Sequence, residues 1–309
     1  MTSGRVREWR AGRPVHLAAQ LAAFRRGSGD PTSWTGGGAF ARAVQTPDGA
    51  GVLHLVVRPG CATVECRAWG AGAEWLLDSV PDLLGAGDDP SGFRARHAVV
   101  GEAWRRYPGY RVPRSRLVLD ALVPAIIEQK VTGQEAFAGY RRLVRRFGER
   151  APGPFGDRLV VPPTASGWAS IPSWEFLQAQ VDPARSRAVV AAARVAGRLE
   201  QVVDLAPVPA RRRLRALPGV GVWTAAEVAQ RALGDPDAVS FGDFHVAKDI
   251  GWALTGRPVD DAGLARLLEP YRGHRFRVQA LLVLAGHRRP RRGPRMAPRR
   301  HLPARSGAR

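Results

Sequence analysis

Lysine is nearly missing from this chain of 309 residues. Among 47 Lys and Arg residues, only Lys130 and Lys248 are lysines. A mechanism that needs a side-chain amine as a Schiff-base nucleophile therefore has two candidates. Cysteine is equally scarce, with Cys61 and Cys66 the only two. Two thiols cannot supply a four-cysteine iron–sulfur cluster or a four-cysteine zinc site from this chain alone. They give no disulfide framework either. No metal or cofactor is expected. No apolar run approaches membrane-spanning length, and the opening stretch MTSGRVREWRAGRP lacks the apolar core of a signal peptide. A cytoplasmic, monomeric protein with no membrane partner is the expectation. Acidic residues are outnumbered: 27 Asp and Glu leave a formal net charge of +20. That balance favours a polyanionic partner such as nucleic acid.

The length allows two or three domains with real cores. Residues 1–13 read as a disordered basic leader. Residues 14–100 read as a small α+β domain. His16–Phe24 could be a short helix, while 39–44, 51–58 and 62–69 alternate like strands and Ala73–Leu84 could be a second helix. From Gly101 to about His287 the pattern is helical. Arg116–Glu128 has apolar residues at a buried helical spacing, and Gly133–Phe147 continues it with Gly148 as its stop. Residues 151–172, rich in Pro and Gly, read as a loop, with Ser173 as the N-cap of a helix from Trp174. Pro183–Arg198, Pro209–Ala216, a helix from Val222 to near Gly234, Asp243–Thr255, Asp260–Leu268 and Arg275–Gly286 follow as helices. The Arg/Pro/Gly-rich residues 288–309 read as a disordered basic tail. The fold class is thus mainly α, with an N-terminal α+β domain built on an antiparallel sheet.

One stretch carries chemistry. Leu217-Pro218-Gly219-Val220-Gly221 forms a glycine hairpin that enters a helix at Val222. Glycines leave no side chain between backbone and ligand, and the helix start presents free N–H groups at the positive end of its dipole. That is a phosphate-binding geometry to which Thr224 can add a contact. A lone acid, Asp243, follows in front of the next helix. It suits an N-cap, and equally a carboxylate set beside a sugar. Cleaving a nucleoside C1′–N bond passes through an oxocarbenium-like state that a nearby carboxylate stabilises.

Together these features resemble the helix-hairpin-helix DNA glycosylases, and within them the bacterial 3-methyladenine DNA glycosylase II branch. The resemblance implies a monofunctional N-glycosylase that flips alkylated purines out of double-stranded DNA and hydrolyses them off, as in base excision repair. It places Asp243 as the catalytic carboxylate. Lyase-type members carry a nucleophilic lysine two positions after the second hairpin glycine. Trp223 stands there, which implies no AP lyase activity and a tryptophan lining the base pocket. Phe244 falls where the branch often has a tyrosine facing the base, so a flipped base could stack between Phe244 and Trp223. Ile126-Ile127-Glu128-Gln129-Lys130-Val131-Thr132 is similar to the segment that fills the DNA gap, with Gln129 or Lys130 as the wedge. Lys130 departs from the apolar wedge usual in alkylpurine members, and Ala285 stands where some relatives have a second stacking tryptophan. His245 and Lys248 read as a helix face or phosphate contacts. Two other readings stay open: a glycosylase for deaminated or oxidised bases, and a non-catalytic damaged-DNA-binding protein. A metal-dependent nuclease is disfavoured, because no acid cluster beside the hairpin could hold Mg²⁺.

Overall fold

The computed structural model describes residues 4–58 and 62–290. Cys61 and most of the expected basic tail lie outside them. The chain opens with β1 (Arg5–Arg10), a single helical turn α1 (Leu17–Gln20), β2 (Ser33–Gly36), β3 (Ala39–Thr46), β4 (Gly49–Val57), β5 (Thr63–Gly70) and α2 (Ala73–Leu83). The strands form one antiparallel sheet in the order β1-β5-β4-β3-β2. Phe40 lies opposite Leu55, and Leu55 opposite Cys66. Alternation along each strand then makes two faces. Phe40, Val44, Leu53, Leu55, Val64 and Cys66 pack on α1 and α2. Ala41, Ala43, Val52 and Trp69 point the other way.

The expected leader is in fact an edge strand. Arg5–Arg10 pairs residue for residue with β5, from Arg5↔Ala68 to Arg10↔Thr63. Arg5 and Arg7 reach Glu74, and Arg7 also meets Asp78, both acids lying on α2. A short edge strand full of charge is a common way to blunt a sheet, and its pairing lies in backbone bonds that composition does not display.

The helical region continues with α3 (Ala98–Arg106), α4 (Val118–Ile127) and α5 (Gly133–Phe147). A small hairpin, β6 (Glu149–Arg150) with β7 (Val160–Val161), comes next, then α6 (Ala165–Ser170) and α7 (Ser173–Gln178). After these come α8 (Pro183–Arg194), α9 (Ala196–Glu200), α10 (Pro207–Arg215), α11 (Val222–Val228, prolonged by a wide turn over Ala229–Leu233), α12 (Val246–Thr255), α13 (Asp261–Leu268) and α14 (Arg275–Leu284). They form two bodies. One core holds Leu122, Ile126, Leu143, Phe176, Val189 and Leu214, from helices between α4 and α11. The other holds Val100, Ile250, Leu264 and Leu281, from α3 and α12–α14.

This grouping moves the expected boundary at residue 100. The sheet core ends at Leu84, apart from Leu117, whereas Phe93 and Val100 belong to the second helical body. The fully buried Arg277 on α14 explains the attachment. It donates to both carboxylate oxygens of Asp88 (2.8 and 2.6 Å), and Asp88 also accepts from the Val112 N–H. The stretch 151–172 is not a plain loop either. It holds β7 and α6, and its Phe155 ring packs against Trp34, His54 and Trp69 on the open face of the sheet. Ser173 begins α7 from inside the helix, with Pro172 in the cap position.

Helix α4 is buried almost all round and lacks a cap of its own. Glu200 supplies one from α9, accepting the N–H groups of Val118 and Leu119 (2.7 and 2.8 Å). Its far end delivers Glu128, Gln129 and Lys130, and a Thr132–Glu135 capping box starts α5 directly afterwards. That short connection is therefore held at both ends.

Candidate active site

The hairpin joins α10 to α11. Leu214 and Val220 are buried inside it, and Val220 N–H donates to the Leu217 carbonyl. Its two glycines differ. Gly219 sits at φ +81°, and a Cβ there would come within 2.9 Å of the Ala188 methyl, so both conformation and space demand glycine. Gly221 has φ −86°, an ordinary value, and nothing lies within 4 Å of where a Cβ would stand. Only Gly219 uses the backbone freedom that glycine offers. Gly221 keeps the mouth of α11 clear, while Pro218 and Gly219 are exposed beside it.

Gln129 locks this mouth from the α4 side. Its side-chain N–H₂ donates to the Gly219 carbonyl and to the Thr224 hydroxyl, both at 2.8 Å. Two expectations change as a result. Thr224 is buried and its hydroxyl is turned inward, so it pins the hairpin instead of reaching a phosphate. Gln129 is committed to the hairpin, which separates it from the role of a free wedge. Lys130 is exposed and holds a left-handed backbone at φ +57°, which only a few per cent of non-glycine residues adopt.

Asp243 lies at the start of α12. Its Oδ1 accepts the backbone N–H groups of His245 (2.7 Å) and Val246 (3.0 Å), and its Oδ2 accepts the Trp223 indole N–H (3.1 Å). The side chain therefore does cap the helix, which begins at Val246 and not directly after Asp243. Oδ1 is fully engaged, whereas Oδ2 keeps acceptor capacity. Trp223 and Asp243, far apart in sequence, are one hydrogen-bonded unit. Phe244 is 68% exposed; His245 meets its ring edge-on, and the Lys248 ammonium lies 3.7 Å from the ring centroid.

Several supporting residues had no readable signal. The loop before Asp243 is tied down by Ser240, whose hydroxyl donates to Glu227 on α11 (2.6 Å) and accepts from Gln230 and from Gln279 on α14. Gly242 N–H donates to Asp261 (2.8 Å). Behind the site, Arg26 from the N-terminal domain meets Glu128 at 3.0 Å, and Arg231 donates to Glu227 (2.6 Å) and to the Ala23 carbonyl (2.9 Å). Burial pushes the Glu128 carboxyl above its usual range, opposed by Arg26 and Arg231 and reinforced by Glu227 and Asp243. Arg212, Arg213 and Arg215 are exposed on α10, just ahead of the hairpin.

Among the described residues, no group of three or more His, Cys, Asp or Glu could hold a metal ion. No helix among them is long and apolar enough to cross a membrane. The arrangement can do two things chemically. It can receive a phosphate at the start of α11, and it can set a fixed carboxylate oxygen beside a group that becomes positive.

No family model matches the chain. A curated Mycobacterium tuberculosis protein, "probable bifunctional transcriptional activator/DNA repair enzyme AlkA", is 32% identical over 247 residues, which is 69% of this chain and 44% of that protein. The same protein from a second strain matches equally, so the chain spans less than half the length of these relatives. Among solved structures, a 3-methyladenine DNA glycosylase from Archaeoglobus fulgidus superposes with a TM-score of 0.74 at 17% identity, covering 90% of this chain and 98% of its own. An 8-oxoguanine glycosylase/lyase from Clostridium acetobutylicum, bound to double-stranded DNA, superposes at 0.68 with 13% identity, covering 93% and 96%. At these identities the superpositions speak for the fold, and the Mycobacterium match speaks for the lineage. By both, the chain belongs to the AlkA-like helix-hairpin-helix DNA glycosylase superfamily.

Proposed function

We propose that this protein is a monofunctional DNA N-glycosylase that excises alkylated purines of the 3-methyladenine type from double-stranded DNA in base excision repair. The observation that carries this reading is the Asp243 carboxylate. It is fixed by two backbone N–H groups and the Trp223 indole, and it leaves Oδ2 able to face a cationic C1′. The open N-terminus of α11, cleared by Gly221, would take a DNA phosphate, and Arg212, Arg213 and Arg215 would hold the backbone alongside. Lys130 would fill the gap left by the flipped nucleotide, and Trp223 and Phe244 would line the base pocket. Trp223 occupies the place of the lyase lysine, so water is the nucleophile and the abasic strand stays intact. A positively charged alkylated base is already a good leaving group, so Asp243 needs no partner acid for that substrate. The enzyme acts as a monomer in the cytoplasm and needs no metal or cofactor.

The test is chromatography of the bases freed from methylated genomic DNA. Release of 3-methyladenine and 7-methylguanine without strand breaks is the expected result. No free base, or nicking that depends on a divalent cation, would end the proposal. A covalent adduct trapped by borohydride would end its monofunctional part.

A further inference from the structure

The loop that carries Asp243 crosses between the two helical bodies. Ala238 packs with Ala226 and Ala229 on α11 and its wide turn, whereas Val239 belongs to the core of α3 and α12–α14. Ser240 comes next and is buried, with 1% of its surface exposed. Its hydroxyl uses every bonding position it has. It donates to Glu227 Oε1 (2.6 Å) and accepts from the side-chain N–H₂ groups of Gln230 (2.8 Å) and Gln279 (3.1 Å). Gln230 also donates to the Ala238 carbonyl (2.7 Å), and the Gln279 side-chain oxygen accepts the Ser240 N–H (3.4 Å). Gln279 stands on α14, and Glu227 and Gln230 stand on α11 and its wide turn, so one hydroxyl joins both bodies. A fully satisfied buried network of this kind fixes one arrangement where apolar packing would tolerate several.

The arrangement governs a distance. Trp223, Glu227 and Gln230 lie at i, i+4 and i+7 and so share one face of α11. Trp223 holds the Asp243 side chain, and the other two hold Ser240, whose carbonyl accepts the Asp243 N–H (3.2 Å). The loop is thus fastened to α11 at two points. Resting on the function proposed above, we propose that Ser240 is a positioning residue whose hydroxyl sets the distance between the phosphate-binding start of α11 and the Asp243 carboxylate. A phosphate held at Gly221 fixes where the sugar lies, and α11 transmits that fixed point through Ser240 to Asp243. Ser240 is buried and acts only through Asp243. Its loss therefore leaves DNA binding in place and moves Oδ2 away from C1′ in the transition state, where a shift of about 1 Å can cost about 10²-fold in rate.

Single-turnover release is measured on a duplex carrying 7-methylguanine. Affinity is measured on the same duplex with a tetrahydrofuran abasic analogue at the lesion. Ser240→Ala should slow release by about 10–10²-fold while affinity stays within about twofold of wild type. In the Asp243→Asn background the same change should slow release by less than about twofold, because no charge remains to be misplaced. Gln279→Met frees Ser240 from α14 but leaves its bonds to α11. It should give a smaller loss with the same dependence on Asp243, which carries the test if Ser240→Ala fails to fold. A loss of full size in the Asp243→Asn background, an affinity that falls in step with the rate, or unchanged release in both variants would overturn the inference. Any of these with an active wild type spares the glycosylase reading. No release by the wild type would overturn both.

Discussion

Asp243 caps a helix and, in the proposed reaction, also supplies a negative charge, and substitution can pull the two apart. As a cap it satisfies the N–H groups of His245 and Val246 through Oδ1, and as a charge it presents Oδ2 beside Trp223. Asp243→Asn keeps a carbonyl oxygen for the two backbone donors but sets an N–H₂ against the indole N–H. It should therefore lose one hydrogen bond, or about 1 kcal/mol. Asp243→Ala loses the cap and leaves the indole donor unmatched, about 2 kcal/mol together. For a chain of this size those losses lower Tm by about 2–4 °C per kcal/mol. Base release should behave differently. Both variants lack the negative charge, so both should fall by about 10²–10³-fold, as when one preorganised electrostatic group is deleted. The assay pairs melting curves with single-turnover base release at 15 and 37 °C. A deficit equal for Asn and Ala, and undiminished at 15 °C, supports the electrostatic role. Activity that tracks Tm across the variants, or Asp243→Asn within threefold of wild type, would show that Asp243 is only a cap.

The two hairpin glycines should also separate. Gly219→Ala forces a positive φ and crowds Ala188, so it should destabilise the protein by at least about 1 kcal/mol in denaturant melts. Gly221→Ala meets ordinary backbone and open space, so its stability should hold while DNA affinity drops; unchanged affinity would refute phosphate binding at this mouth. Changing Arg212, Arg213 and Arg215 together to Ala should flatten the slope of log K against log salt by about 0.9 for each phosphate no longer neutralised, and a parallel slope would place DNA elsewhere. His54 is lowered from its usual value of 6.5 by burial, with Arg67 adding to the shift and Glu65 opposing it. The unfolded chain therefore takes up the proton first as pH falls. Its contribution to stability is present above about pH 6.5 and is lost below it. His54→Phe should reduce that acid-side loss in pH-dependent melts, and an identical pH dependence would refute the assignment.

Much of the helical region was legible because apolar spacing and caps are local signals. α5 and α14 fall close to their expected limits. The hairpin and Asp243 were legible because glycine, proline and a lone acid before a helix each have few uses. Elements held by remote partners were not. β1 depends on bonds to β5, α4 takes its cap from Glu200, and Phe155 finds its place only against the sheet. The boundary near residue 100 was misplaced because Asp88 belongs with Arg277, a pairing that no local pattern announces.

The sequence alone determined most of the helices, the glycine hairpin, the absence of a lysine at position 223 and the strong positive charge. All of these follow from near-neighbour geometry or from counting. Tertiary structure alone decided that Trp223 bonds Asp243, that Gln129 locks the hairpin and turns Thr224 inward, and that Arg26 from the N-terminal domain stands beside Glu128. The reason is physical: the direction of a side chain and the strength of a charge depend on which distant groups exclude water from it.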